Sequence, residues 1–241
     1  MINKIKVNAF AKNLVILSKP HILFGFAEKP FKFIANTISL SRWISNQDKI
    51  EFNDYFTFKR NHSKRYELYQ FIHSKFNLEF KDINYYEFGV SGGDSFKWWV
   101  NNIKNENSRF FGFDTFEGLP ENWGFFKKGD MANLIPTIDD NRTTFVKGLF
   151  QETLFDFIDN NNFDKSKPKI IHLDADIFSA TLFVLTSIAK HLNKGDILFF
   201  DEYNVPNHEY SAFKIFRESF YIDFELIGAV NNYYQVAFMV K

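Results

Sequence analysis

A glycine-rich stretch follows a single carboxylate in the middle of the sequence, in the order Glu-Phe-Gly-Val-Ser-Gly-Gly from Glu87. Gly89, Gly92 and Gly93 let the backbone turn sharply or come close to a ligand, and a helix after them would offer free N–H groups. Their spacing differs from the Gly-x-Gly-x-x-Gly of nicotinamide-binding folds. Glu87 is costly in a central strand unless it meets a cation or hydrogen-bond donors. The stretch is a candidate ligand loop, and a tight turn without a ligand is the alternative.

Five other acidic residues follow predicted strands, and they are Asp114, Asp174, Asp176, Asp201 and Glu202. Asp114 is placed to accept hydrogen bonds from both hydroxyls of an adenosyl ribose, with a turn or a helix cap as the alternative. If the strands before the other four are neighbours, their carboxylates converge and repel one another unless they share a cation. Oxygen ligands without cysteine suit Mg²⁺, which would lower the pKa of a bound hydroxyl so that a nearby carboxylate takes its proton.

The elements that must position these residues alternate from about residue 84 onward. Short β-rich runs and helical patterns follow one another, which predicts βαβ units around a parallel sheet. The last two strand-like runs are separated by three or four residues around Asn231 and Asn232, so they form an antiparallel hairpin. We therefore expect an α/β, Rossmann-like, doubly wound and mainly parallel seven-stranded sheet that ends in an antiparallel hairpin. Its ligands would bind beyond the carboxyl ends of the strands, where the acids are placed.

Five stretches resemble the class I S-adenosylmethionine-dependent methyltransferases, in particular the macrocin O-methyltransferase type that modifies sugar hydroxyls. They are YYEFGVSGGDSF, FFGFDTFEGLPENW, VKGLFQETL, IIHLDADIFSAT and ILFFDEYN, between about residues 84 and 205. The Asp-Thr-Phe-Glu-Gly-Leu-Pro motif is specific, whereas the glycine loop is not. The resemblance implies S-adenosylmethionine as the cofactor. It places the methionine part on Gly89, Ser91, Gly92 and Gly93 above Glu87, the ribose on Asp114, and the adenine beside Gly148 and Phe150.

The same resemblance implies roles for the acids. Asp174, Asp201 and Glu202 would bind the metal and Asp176 would be the base, although Asp174 and Asp176 are interchangeable in these catalytic roles. The family commonly has Asp-Asp where this chain has Asp201-Glu202, and the longer side chain could change the metal affinity. Capping of the next helix is the alternative for Asp176. Trp123 offers an apolar plate to a sugar or aromatic acceptor, or else anchors its loop.

Composition narrows the function classes. Lys plus Arg equals Asp plus Glu at 29 each, so no overall field attracts nucleic acid. Cysteine is absent, which excludes thiolate nucleophiles and cysteine-bound zinc and fits a reducing cytoplasm. We expect a small-molecule acceptor, a sugar or glycoside. A nicotinamide-dependent oxidoreductase and a non-catalytic, membrane-associated cofactor-binding domain are the alternatives. We expect His172 to be a core histidine.

The N-terminal part, residues 1–80, is expected to be a helical extension that acts as a lid or in dimerisation, before a catalytic domain at 81–241. Residues 1–50 carry a net charge of +6, but no apolar stretch there is long enough to span a bilayer. We expect this arm to pack on its own domain or on the second copy of a homodimer, with peripheral contact to an anionic membrane as the alternative. Arg60, Lys64 and Arg65 are expected to form a solvated basic face, or else to reach the cofactor carboxylate or an anionic acceptor.

Overall fold

The computed structural model describes residues 2–47, 50–160 and 163–241. The α-helices are α1 Ile2–Leu17, α2 His21–Phe24, α3 Glu28–Ser45, α4 Lys64–Lys75, α5 Asp94–Asn102, α6 Phe150–Asp159, α7 Phe178–Ile188 and α8 Glu209–Phe220. Two short 3₁₀ turns lie at Gly25–Ala27 and Ala189–His191. The strands are β1 Asn84–Phe88, β2 Arg109–Asp114, β3 Thr143–Lys147, β4 Lys169–Leu173, β5 Ile197–Phe200, β6 Phe224–Val230 and β7 Gln235–Val240.

The seven strands form one sheet in the order β3-β2-β1-β4-β5-β7-β6. The first five pair in parallel, and β7 is inserted antiparallel between β5 and β6. The predicted Rossmann-like sheet with a terminal hairpin is therefore confirmed. The chain runs outward in opposite directions from β1 and β4, which are neighbours, so the crevice beyond their carboxyl ends is the expected ligand position.

The central strands are buried on both faces because helices cover each side of the sheet. On one face, Phe88, Leu173 and Phe200 pack with residues of α6, α7 and α8. On the other face, Tyr85 and Phe199 pack with residues of α4 and α5. Every residue of β1, β4 and β5 is buried, so these strands are held rigidly below the crevice.

One helix begins earlier than the sequence predicted, and another is more deeply buried. The helix expected from Thr153 begins at Phe150 and ends at Asp159; its predicted end at residue 162 lies outside the described residues. α4 is also more deeply embedded than a solvated helix would be, because its apolar side chains are buried against the sheet. No helix in the described part of the chain is both long and apolar enough to cross a membrane.

Candidate active site

A cavity of about 540 Å³ opens beyond the carboxyl ends of β1, β2, β4 and β5. This volume is in the range of small-molecule and cofactor sites. Predicted site residues that line it come from both halves of the sheet. They are Gly89, Ser91, Asp114, Phe150, Asp174, Asp176, Asp201 and Glu202. One crevice at the switch point of the strand order therefore joins the glycine loop to the acids.

Close packing explains two of the glycines in the loop, Gly89 and Gly93. Gly89 has φ +96°, and a Cβ there would lie 1.9 Å from the carbonyl oxygen of Asp174. Gly93 has φ +80° directly before α5, and a Cβ there would lie 2.7 Å from Pro136. Gly92 has open space around it. Gly92 and Gly93 are outside the cavity lining, whereas Gly89 and Ser91 are part of it.

Asp114 has the turn-forming role that the sequence offered as an alternative. Its Oδ2 accepts hydrogen bonds from the backbone N–H groups of Val90 at 2.9 Å and Ser91 at 2.8 Å. Its Oδ1 accepts one from the N–H of Phe116 at 2.8 Å. The carboxylate thus fixes its own turn and fastens the glycine loop to the end of β2. It also lines the cavity, with lone pairs left for a ligand hydroxyl.

Glu87 lies fully buried behind the cavity wall rather than in it. Its carboxylate accepts hydrogen bonds from the hydroxyls of Tyr85 and Ser95, both at 2.5 Å. These donors explain how a central strand accommodates the charge. His172 lies 3.8 Å from it and within hydrogen-bond distance of the hydroxyls of Tyr85 and Tyr69, as expected for a core histidine.

Burial and neighbouring charges raise the pKa values of Asp174, Asp176 and Glu202, at the ends of β4 and β5. Burial raises the pKa of Asp176 to about 7, and the charges of Asp201 and Asp114 add to the effect. Burial raises the pKa of Glu202 to about 8, with Asp176 as the next cause. Burial and the charge of Asp201 raise the pKa of Asp174 well above its usual range. This wall of the cavity therefore contains two acids, Asp176 and Glu202, whose pKa values are raised into the range that suits a general acid or base at neutral pH.

Arg65 belongs to this wall, and its assignment to a solvated face was wrong. Its guanidinium lies 2.9 Å from Asp201 Oδ2, and both residues line the cavity. The rest of the predicted basic face is also paired, because Lys64 forms an ion pair with Asp54 and Arg60 stacks 3.4 Å above the ring of Tyr234. The first turn of α4 thus places the guanidinium of Arg65 beside Asp201, although the two residues are far apart in the sequence.

The predicted metal ligands Asp174, Asp201 and Glu202 all line the cavity. Within the described residues, however, no three acidic or histidine side chains come together as a metal site. Asp201 pairs with Arg65, and Glu202 accepts a hydrogen bond from the hydroxyl of Tyr234, so both carboxylates face other partners. Asp201 Oδ1 and Glu202 Oε2 remain buried without a hydrogen-bond partner. The donor chemistry fits a hard cation, but the ligands are not gathered around one point.

Asp176 does not cap α7. Ile177 occupies the cap position, and no side chain forms a hydrogen bond there. Asp176 has φ +58°, a left-handed conformation that is uncommon for a residue other than glycine. Such conformations are concentrated at functional sites, where the surrounding structure holds them. The geometry therefore agrees better with a role in the cavity than with a cap.

Two predicted ligand contacts, Trp123 and Gly148, are placed differently, whereas Phe150 lies where it was predicted. Trp123 is outside the cavity lining; its ring stacks on Phe126 with centroids 5.3 Å apart and packs behind Ile177. Gly148, also outside the lining, has φ +142° just before α6. Phe150 does line the cavity and meets the ring of Phe88 edge to face. Trp123 thus supports the wall from behind, which corresponds to the loop-anchor alternative.

From the sequence, Glu209 is expected only to cap or line the next helix, without a catalytic role. It is fully buried at the start of α8, and its Oε2 accepts a hydrogen bond from the backbone N–H of Glu202 at 2.9 Å. Its Oε1 has no partner, and burial followed by the charge of Glu202 raises its pKa well above the usual range. A carboxylate only seven positions after Glu202 was the available signal. Glu209 fixes the backbone at the end of β5.

The turn between β6 and β7 holds the segment that leads to Arg65. The Asn232 side chain accepts a hydrogen bond from the Thr57 N–H at 2.8 Å and donates one to the Thr57 carbonyl at 2.7 Å. Asn231 makes the same pair with the backbone of Asn61, both at 2.9 Å. The hairpin therefore fastens the chain just before α4, and with it the cationic part of the cavity wall.

Comparisons with known proteins agree with this arrangement. Residues 86–203 match a family model described as a methyltransferase domain, which supports methyl transfer as the class of reaction. No curated protein sequence matches the chain significantly.

Among solved structures, the calicheamicin methyltransferase CalS11 is 19% identical with a TM-score of 0.58, covering 86% of this chain and 91% of its own. The O-methyltransferase NovP is 18% identical with a TM-score of 0.52, covering 73% and 79%. The chain has the fold of these methyltransferases.

Proposed function

We propose that the protein is an S-adenosylmethionine-dependent O-methyltransferase that acts on a hydroxyl of a small polar acceptor, a sugar or glycoside. One observation carries this proposal: a single cavity joins the loop at Gly89 and Ser91, and Asp114 beside it, to the acids after β4 and β5. The first group suits an adenosyl cofactor and the second suits activation of a hydroxyl. CalS11 is a TDP-rhamnose 3'-O-methyltransferase, which supports a sugar acceptor.

The cofactor half of the cavity would hold S-adenosylmethionine between the glycine loop and the end of β2. Asp114 would accept the ribose hydroxyls, because it lines the cavity and its position is fixed by three backbone N–H groups. Phe150 offers an apolar surface beside the adenine. A nicotinamide cofactor is less well supported, because β7 is inserted where a dinucleotide-binding sheet has the order 3-2-1-4-5-6.

In the reaction, the acceptor oxygen forms a bond to the methyl carbon while the carbon–sulfur bond of the sulfonium breaks. The hydroxyl proton is transferred to Asp176, whose pKa of about 7 suits a base at neutral pH. S-adenosylhomocysteine and the methyl ether are the products. Arg65 holds Asp201 in place, and the buried wall excludes water and orients the acceptor for in-line attack.

A divalent ion such as Mg²⁺ is part of the proposal, held by Asp174, Asp201 and Glu202. The buried oxygens Asp201 Oδ1 and Glu202 Oε2, which have no other partner, support this assignment. When bound, the ion would lower the pKa of the acceptor hydroxyl. Arg65 pairs with Asp201 Oδ2, so Oδ1 is the oxygen that would be free to hold the ion.

A coupled turnover assay tests the function. Nucleotide sugars and simple glycosides are screened with S-adenosylmethionine, in Mg²⁺ and in EDTA, and S-adenosylhomocysteine is measured. Asp176→Asn is expected to lower kcat on the order of 10³-fold, whereas Asp139→Asn, at an exposed acid outside the cavity, is the matched control. Equal turnover of both variants contradicts the base assignment. Turnover that EDTA does not change removes the metal from the mechanism.

Calorimetric titration separates the two cofactor classes independently of the acceptor. We expect S-adenosylmethionine to bind and NAD⁺ not to bind. Binding of NAD⁺ alone would replace the proposed reaction by hydride transfer.

A further inference from the structure

The N-terminal arm, residues 2–38, is exposed over almost its whole length. Every residue from 4 to 26 whose side chain is described is exposed, and α3 becomes buried at Leu40, just after the arm. Large apolar side chains of the arm lie in solvent rather than against the sheet. They are Ile5, Val7, Phe10, Leu14, Val15, Ile16, Leu17, Ile22, Leu23, Phe24, Phe26, Phe31, Phe33, Ile34 and Ile38. The predicted packing of this segment on its own domain is therefore not observed over these residues.

An exposed apolar surface of this extent indicates an interaction site. The charged residues of the arm indicate which kind of partner this surface binds. Six lysines occur among the apolar residues, at positions 4, 6, 12, 19, 29 and 32, and Glu28 is the single acid of the first 47 residues. Lysine is depleted at protein–protein interfaces. Lysine mixed with phenylalanine and leucine is instead typical of segments that lie on anionic lipid, because the long stem stays in the apolar layer while the ammonium group reaches the headgroups.

The attachment of the arm fits such a role. The second half of α3 is held to α8 and the loop before it, through Asn36 to Asn207 at 2.8 Å and Ser39 to Tyr210 at 2.9 Å. Lys32 lies 5.7 Å above the ring of Phe178, which is beside the cavity-lining residues of α7. The end of the arm is thus held to α8 and to the loop before it, and Lys32 lies beside the start of α7.

We propose that residues 2–38 bind the surface of an anionic lipid bilayer, with their apolar side chains at the acyl boundary and their lysines among the headgroups. The arm lies on the bilayer and does not span it. This lipid binding does not depend on the proposed methyl transfer, since no residue of the arm lines the cavity.

Vesicle flotation of the full chain tests the proposal. Vesicles of phosphatidylcholine alone are compared with vesicles containing 30% phosphatidylglycerol, at low and at high salt. We expect binding only to the anionic vesicles, weakened by salt. Lys4→Gln, Lys6→Gln and Lys12→Gln together are expected to lower the partition coefficient on the order of 100-fold, about fivefold for each lysine.

A second variant removes apolar contacts, and two matched variants are controls. Ile22→Ser, Phe24→Ser and Phe26→Ser together are expected to lower the partition coefficient more than tenfold. The controls change equally exposed residues of the body and are expected to bind as the parent does. They are Lys127→Gln with Lys128→Gln, and Phe58→Ser with Phe125→Ser.

Three outcomes would overturn the proposal. The first is no binding to anionic vesicles, and the second is equal loss of binding in the body controls. The third is that the parent protein is a dimer in light scattering, that the arm variants are monomers, and that neither binds vesicles. This result would mean that the arm contacts a second copy of the chain. Because all substituted residues are exposed, unchanged thermal unfolding serves as the check that each variant folds.

Discussion

Substitution of Gly89 by alanine should damage both stability and the cavity. The backbone at φ +96° is unfavourable for any residue with a Cβ, at about 1–2 kcal/mol. The new methyl group would also lie 1.9 Å from the carbonyl oxygen of Asp174, and such overpacking costs about 1–3 kcal/mol. Together these terms predict a loss of about 3 kcal/mol and a Tm lower by about 10 °C for a chain of this size.

Gly92→Ala, three residues away, is the matched control. A methyl group there meets nothing within 4 Å, so we expect its stability to change by less than about 0.5 kcal/mol. The assay is thermal and urea unfolding of both variants, together with calorimetric titration of S-adenosylmethionine. Because the clash displaces the backbone of Asp174, Gly89→Ala should also weaken cofactor binding. If the two variants unfold within about 1 °C of each other, the close packing of the loop on β4 is wrong.

Three further predictions concern the charged wall. Arg65→Met should lower the free energy of unfolding by about 3 kcal/mol, because it leaves the buried carboxylate of Asp201 without its ion-pair partner; urea unfolding measures the loss. Asp114→Asn should weaken S-adenosylmethionine binding about tenfold by calorimetry, because its NH₂ group cannot accept every hydrogen bond that the carboxylate accepts. In EDTA, the Tm should fall as the pH rises from about 4 to 8. In the folded state Asp176 and Glu202 have pKa values of about 7 and 8, whereas in the unfolded chain they have the ordinary values of 3.8 and 4.5. The folded state therefore holds protons that the unfolded chain has already released, and this contribution to stability is lost as the pH rises. Glu202→Gln should flatten this profile, and a Tm that rises with pH would refute the protonated wall.

Local sequence patterns determined most of the sheet. Alternation of strand and helix from residue 84 gave the parallel strands, and the short link at Asn231 and Asn232 required the antiparallel hairpin. The convergence of Asp174, Asp176, Asp201 and Glu202 followed from one rule, that the carboxyl ends of parallel strands meet at one edge. These features could be predicted because each depends on periodicity or on the length of a connection.

The cation in the wall could not be predicted in the same way. Arg65 lies on a helix whose charges look solvated, and its pairing with Asp201 depends on how α4 packs against the sheet. Burial of Glu209 and the position of Trp123 behind the wall also depend on tertiary packing. The exposure of the arm was missed for a related reason, since apolar residues predict a buried surface but do not identify what covers it.

The hydrogen bonds from Asn231 and Asn232 to the segment before α4 have a consequence for folding during synthesis. The backbone at Thr57 and Asn61 is held by side chains translated 175 and 170 positions later. A chain emerging from the ribosome therefore contains α4 before the asparagines that secure the segment leading to it have been synthesised. A nascent chain arrested before Asn231 should fail to retain S-adenosylmethionine, so methylation competence would arise late, as the last step of folding.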